Sequence, residues 1–187
     1  MKKILFSLFI STLFIFTSCS NDDDNYEQKT VTYSEQKTIM LKMYIGSSEG
    51  GKEANITSID PDKYWGSLVK EPEAGESIIF NKETLIAKEG DKTAEMAYIF
   101  NNEELWVASY YQWTYYGYGN KNKIIVPLNY IYSTSKEKEP IITSNIKKNF
   151  ILEDAISASH FDLLSDMKSE KDTLMWYSVE RVYQALQ

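Results

Sequence analysis

With 187 residues, a pI near 4.9 and a net charge of −7 at pH 7, the chain lacks the basic face that nucleic-acid phosphates require. Fourteen tyrosines and four tryptophans against eight glycines and four prolines suit a pleated core or an aromatic contact surface. One cysteine, Cys19, excludes an intramolecular disulfide, and one histidine, His160, excludes any metal site built from two or more histidines.

The chain opens with Lys2 and Lys3, followed by an apolar run from Ile4 to Phe16 broken only by Ser7, Ser11 and Thr12. A membrane-spanning helix needs ~20 apolar residues, so this run is too short to cross and reads as a signal sequence. Small residues, Thr17 and Ser18, precede Cys19, and the polar, acidic run Ser20-Asn21-Asp22-Asp23-Asp24 follows it. This pattern resembles a bacterial lipoprotein signal peptide, with Phe16 where the commonest pattern has Leu, a usage similar to that of Bacteroidota. The resemblance implies that residues 1–18 are removed and that Cys19 becomes the lipidated first residue, anchored by several acyl chains. Ser20 to Asp24 is similar to the acidic signal that carries Bacteroidota lipoproteins to the outer face of the outer membrane. The alternative is a solvated linker on a lipoprotein facing the periplasm.

Removal of residues 1–18 leaves 169 residues, enough for one domain. The charge becomes −9, because Lys2 and Lys3 leave with them, and such a surface does not lie flat on anionic head groups. The membrane is therefore expected to be held through lipidated Cys19 alone. Residues 19–30 read as this lipidated cysteine and a polar tether, and residues 31–187 as a single β-rich domain.

Within that domain Lys37–Ile45 alternates Thr38, Met40, Lys42 and Tyr44 against Ile39, Leu41, Met43 and Ile45, a half-buried strand signal. A Gly/Ser turn follows, and Asp60-Pro61 can start a short helix to about Val69, with Asp60 as cap. Ser77–Phe80, Thr84–Ala87, Ala94–Phe100 and Leu105–Tyr111 are β-rich runs separated by polar turns, which predicts successive hairpins. Lys123–Tyr132 adds a strand whose Pro127 favours an edge or a bulge, and Ile141–Ile146 adds another. Leu152, Ile156, His160, Leu163 and Met167 recur at helical spacing, which predicts a helix over 153–167. Residues 174–186 fit either a helix or a strand, and their β-branched and aromatic composition favours a final strand through Val182.

The fold class expected is mainly β: an antiparallel meander forming a barrel or a β-sandwich, with one or two short helices. The order of strands, with phrases such as Ile79-Phe80-Asn81 and Tyr98-Ile99-Phe100-Asn101-Asn102, is similar to the lipocalin-like domains of Bacteroidota lipoproteins, a resemblance that implies the barrel.

Gly46-Ser47-Ser48-Glu49-Gly50 matches G-x-S-x-G, but the nucleophile elbow also needs a helix directly after it, and none is predicted. His160 reads as a packing residue on its helix. Asp60, Asp62, Glu71, Glu73 and Glu76 read as solvated loop charges and match no EF-hand pattern. Asp172-Thr173-Leu174 is similar to the three-residue O-glycosylation site of Bacteroidota exported proteins. No catalytic residues, cofactor or metal are assigned.

The remaining feature is Tyr110 to Gly119, whose alternation places Tyr111, Trp113 and Tyr115 on one face and Tyr110, Tyr116 and Tyr118 on the other. A strand with one buried face does not need rings on both, so Tyr111, Trp113, Tyr115, Tyr116 and Tyr118 are candidate ligand contacts, with flat faces for stacking on sugars. The expected function is a surface lipoprotein that binds a glycan or another extracellular ligand. The alternatives are an immunity-type lipoprotein whose acidic surface captures a basic protein partner, and a glycan hydrolase.

Overall fold

The first strand of the domain, β1 (Lys29–Ile45), is long enough to belong to two structures at once. The computed structural model describes residues 26–187, apart from 57–59, 70–71, 73–74, 110–111, 137 and 187. The lower half of β1 helps to close a barrel, and its upper half continues beyond it with β8 (Lys123–Ser135) and β10 (Thr173–Gln184). β1 begins at Lys29, two residues before the first residue of the domain read from sequence.

Between them run β2 (Lys52–Glu53), β3 (Ser77–Phe80), β4 (Thr84–Glu89), β5 (Lys92–Asn101), β6 (Glu104–Ser109) and β7 (Gln112–Asn120); β9 (Lys138–Ile146) follows β8. Neighbouring strands are antiparallel in the order β1-β3-β4-β5-β6-β7-β8-β10, and β10 pairs with β1. The result is a closed eight-stranded antiparallel barrel rather than a sandwich, so every strand of the circuit has a neighbour on both sides. The hairpin strands lie within two residues of their predicted bounds. Residues 174–186 resolve as a strand. β2 and β9 are additions outside the circuit, β2 on β1 and β9 on β8.

Inward side chains follow from the alternation. Val31, Ile78, Phe80, Leu85, Leu105, Val107, Ile124, Val126 and Tyr183 form the buried barrel core. Two bulges in β1, between Tyr33 and Glu35 and between Thr38 and Met40, interrupt its alternation. The second leaves Ile39 54% exposed, so the predicted apolar face is broken there, while Leu41 and Met43 stay on the inner side with Tyr177 and Met175.

Above the barrel both faces of the β1/β8/β10 extension are covered. On the inner side lies α1 (Pro61–Trp65), capped by Asp60, whose side chain accepts from the Asp62 N–H, followed by a 3₁₀ turn at Gly66–Val69. Trp65 and Val69 pack on Tyr130, Met175, Tyr177 and Val179. On the outer side α2 (Leu152–Ser157) and the following loop place Ala155, Phe161 and Met167 on Tyr44, Ile131, Leu174 and Trp176. This cover explains why Leu174 to Val179 are all buried, and why Met40 and Tyr44, on the face expected to be polar, are apolar. Each fully buried large side chain contributes roughly 1.5–3 kcal/mol.

The helix predicted over 153–167 stops at Ser157. Ser159 ends it by hydrogen-bonding locally: its hydroxyl donates to the Ile156 carbonyl and accepts from the Phe161 N–H. The apolar spacing survives as loop anchors, with Phe161 buried in place of Leu163, which is 61% exposed. A 3₁₀ turn at Leu164–Asp166 completes the segment.

Candidate functional site

Side-chain volume changes sharply between two levels of the barrel. At the lower level Phe80, Leu85 and Met96 lie side by side across β3, β4 and β5 and fill the interior. Two residues up the same strands the row becomes Ile78, Ala87 and Ala94. The paired alanines leave a cavity of about 680 Å³, within the ~300–1,000 Å³ range of small-ligand sites. Ala87, Ala94, Val126, Leu128 and Ile146 give it apolar walls, and the exposed β4–β5 turn, Glu89 to Lys92, forms its rim. A second space of about 410 Å³ adjoins it and shares Glu76, Glu89, Lys92, Leu128 and Arg181.

Away from the rim, the polar side chains of the cavity converge from several strands. Arg181 lies on the inner face of β10; its Nε donates to Gln36 Oε1 at 3.1 Å and its Nη2 to the Tyr130 hydroxyl at 3.4 Å. Glu76 is buried, and its Oε2 lies 3.5 Å from the Tyr183 hydroxyl. Burial pushes the Tyr116 hydroxyl up to about 12, reinforced by Glu76 and Glu89 and opposed by Arg181. Tyr183 is raised in the same sense, chiefly by burial. All these rings are neutral donors at physiological pH. The cavity therefore offers apolar walls, the Arg181 guanidinium, the Glu76 carboxylate and neutral hydroxyls within, and the charges of Lys88, Glu89, Asp91 and Lys92 around its rim, a set suited to holding an amphipathic molecule.

The aromatic stretch is divided by a bulge. Leu105 pairs with Gly117 and Trp106 with Tyr115, so Tyr116 is an extra residue in β7. Tyr116 consequently enters the cavity, while Trp113, Tyr115 and Tyr118 face outward, and the expected sharing of one face by Tyr116 and Tyr118 does not occur. Trp113 is 47% exposed. Tyr115 packs edge-on against Trp106 at 5.7 Å between ring centres. Tyr118 donates to Glu180 Oε1 at 2.5 Å beneath the Lys148 ammonium, 4.5 Å from the ring centre. Tyr111, like Cys19 and Ser20, Asn21, Asp22, Asp23 and Asp24, lies outside the described residues.

The other sequence candidates take structural positions. The Ser47 hydroxyl donates to the Gly50 carbonyl, and a turn and β2 follow where a nucleophile elbow needs a helix. Gly46 and Gly50 pack against the backbone of 164–169, where a Cβ would collide at 2.2 and 3.0 Å. His160 Nε2 donates to the Glu139 carbonyl at 2.8 Å, in a loop rather than a helix. Asp172 is buried and accepts from the Lys136 and Ser169 N–H groups. Among the described residues no three His, Cys, Asp or Glu side chains are placed to hold a metal ion, and no helix is long and apolar enough to cross a membrane.

Sequence reasoning missed Ala87, Ala94, Glu76 and Arg181 as cavity residues. A signal existed for one of them. Arg181 is the only arginine in the chain, and it interrupts a strand at the inward positions of Tyr177, Val179 and Tyr183.

Fold and site together define a closed eight-stranded antiparallel barrel with a cavity, packed at one end and hollow at the other. No family model, curated protein or solved structure matches the chain.

Proposed function

We propose that the chain is a lipid-anchored binding protein of the outer membrane, displayed at the cell surface through Cys19, whose barrel captures a small amphipathic extracellular ligand. One observation carries the binding half of this reading: the hollow beside Ala87 and Ala94, with Arg181 and Glu76 among apolar walls. A ligand with an apolar body and a polar or charged end suits it, because the body displaces water from the walls while the polar end meets partners already held in place. The anchoring half rests on the run from Ile4 through Cys19 and on Asp22-Asp23-Asp24.

Each half has its own test. The probe for the cavity is 1-anilinonaphthalene-8-sulfonate, an apolar ring system with one anionic end. The full chain should bind it with enhanced fluorescence, and Ala94→Phe, which fills the hollow, should abolish the signal while the protein still melts cooperatively. Undiminished binding by Ala94→Phe would place the probe elsewhere and remove the cavity reading. For the anchor, Cys19→Ala should lose incorporation of labelled palmitate and retention on membranes; unchanged retention and labelling would end the lipoprotein reading.

A second reading is favoured by Trp113. Its exposed ring stands beside Ala108, next to an outward row formed by Ile99, Trp106 and Tyr115 across three strands. Such a surface suits the C–H faces of a glycan, and the two sites are separable because they lie on opposite faces of the same sheet.

A further inference from the structure

Strand pairing leaves one seam open in the wall. β7 is bonded to β8 only at Tyr118 to Asn120, opposite Lys123 to Ile125. β9 takes over the same side of β8 from Leu128 upward, starting at Ile146. Val126 and Pro127 lie at the changeover, where Pro127 needs no partner for an N–H it does not have. Among the described residues, Gln112–Tyr115 of β7 pair with β6 alone, Tyr116 is bulged out of that ladder, and Ile141–Asn145 of β9 pair with β8 alone. β7 and β9 run in the same direction, both antiparallel to β8, so two unpaired strand edges face each other across the seam.

These edges are unguarded. Exposed strand edges are ordinarily protected by charges, prolines or cover. At its upper end β9 has such guards in Lys138, Glu139 and Pro140, but from Ile141 to Ile146 it has neither charge nor proline, and Gln112 to Gly117 has none either. Beneath the seam Tyr116, Val126, Leu128 and Ile146 line the cavity, and Trp113 stands outside it.

We infer that the seam between β7 and β9 is a binding site for an extended, uncharged peptide segment of about six residues, taken up as an added strand antiparallel to both edges. Two facing rows of main-chain N–H and C=O groups select this occupant, because an extended backbone alone presents donors and acceptors alternately to both sides at the strand repeat. Alternate side chains of the peptide enter the cavity between Tyr116, Leu128 and Ile146, which requires apolar residues at every second position. A second copy of the chain would bring a folded edge that satisfies one row and leaves the other open. This site goes beyond the cavity ligand: it needs no lipidation, and it rests on the cavity reading only in that the inward side chains of the peptide enter that same space.

The test uses the full chain and fluorescent, Lys-flanked synthetic hexapeptides alternating Val, Ile or Tyr with Thr, Ser or Gln, read by fluorescence polarisation. Saturable binding of at least one sequence is expected. Two backbone-methylated versions of that peptide, one methylated at odd nitrogens and one at even, should each bind at least tenfold more weakly, because alternate N–H groups serve opposite edges. Hydrogen exchange should slow in both Gln112–Tyr116 and Ile141–Asn145. Absence of binding throughout the set overturns the proposal. So does binding indifferent to methylation, which would come from side chains alone, and so does sensitivity in one phase only, which would be addition to a single edge.

Discussion

The two ends of the barrel are built on the same strands and differ by two residues of height. At the closed end Phe80, Tyr98 and Phe100 meet with ring centres 5.2–6.0 Å apart over Leu85 and Leu105. Tyr26 seals this end from outside, donating to the Phe80 carbonyl, while the Lys121 ammonium sits 5.0 and 5.4 Å from the Tyr26 and Tyr98 ring centres. At the open end the corresponding positions of β4 and β5 are alanines, and charged groups and the hydroxyls of Tyr116 and Tyr183 line the space. A barrel can thus separate stability from binding along its axis, with one level packed to hold the wall and the next left hollow. Tyr26 docks on the closed end, opposite the hollow.

The sharpest way to break this comparison is to empty the closed end. Phe80→Ala should cost ~3–5 kcal/mol and lower the melting temperature by on the order of 10 °C. A shift of only a degree or two in thermal denaturation would show that the aromatic level is not what stabilises the wall. The matching change at the open end, Ala94→Phe, should move the melting temperature far less, because the new ring enters space already vacant; a loss as large as that of Phe80→Ala would mean the level is packed after all.

A smaller effect sharpens the contrast in electrostatics. Burial, with Glu76 and Glu89 nearby, holds Tyr116 at about 12, and burial, with Glu104 and Glu180, does the same for Tyr115. The unfolded chain releases these protons near 10. Below pH 10 both states are protonated and stability is unaffected. Between about 10 and 12 the unfolded state ionises first, so stability falls as pH rises. Urea melts across this range should show the fall, and Tyr116→Phe should flatten part of it; an unchanged slope would mean that Tyr116 titrates normally.

The strands were legible because hydrophobic alternation and polar turns state them directly, whereas Pro127, read as the mark of an edge or a bulge, lies inside the wall where β8 changes partners. The cavity was not legible. It depends on Ala87 standing opposite Ala94, a register that appears only when the hairpin is closed, and on Glu76 and Arg181 reaching the same space from distant parts of the chain. The division of the aromatic stretch was hidden for a different reason. One extra residue in β7 reverses which face every later side chain occupies, and its only mark in the sequence is Gly117 beside it. The overlong helix came from reading apolar spacing without the competing hydrogen bonds of Ser159.

The smallest expected effect concerns the outer face of that same stretch. Trp113 is nearly half exposed, so Trp113→Ala should cost less than about 1 kcal/mol, against the ~3–5 kcal/mol of a core tryptophan. Tyr115→Ala is the less clean change, because its ring supports Trp106 and its hydroxyl is buried without a hydrogen-bond partner. The single variant therefore separates contact from support. If Trp113 is a recognition surface, Trp113→Ala should melt within about 2 °C of the parent and lose retention on an array of neutral oligosaccharides, while Ala94→Phe retains it. Parent and Trp113→Ala proteins that bind the array equally would remove the glycan reading and leave the hollow end of the barrel as the site of ligand capture.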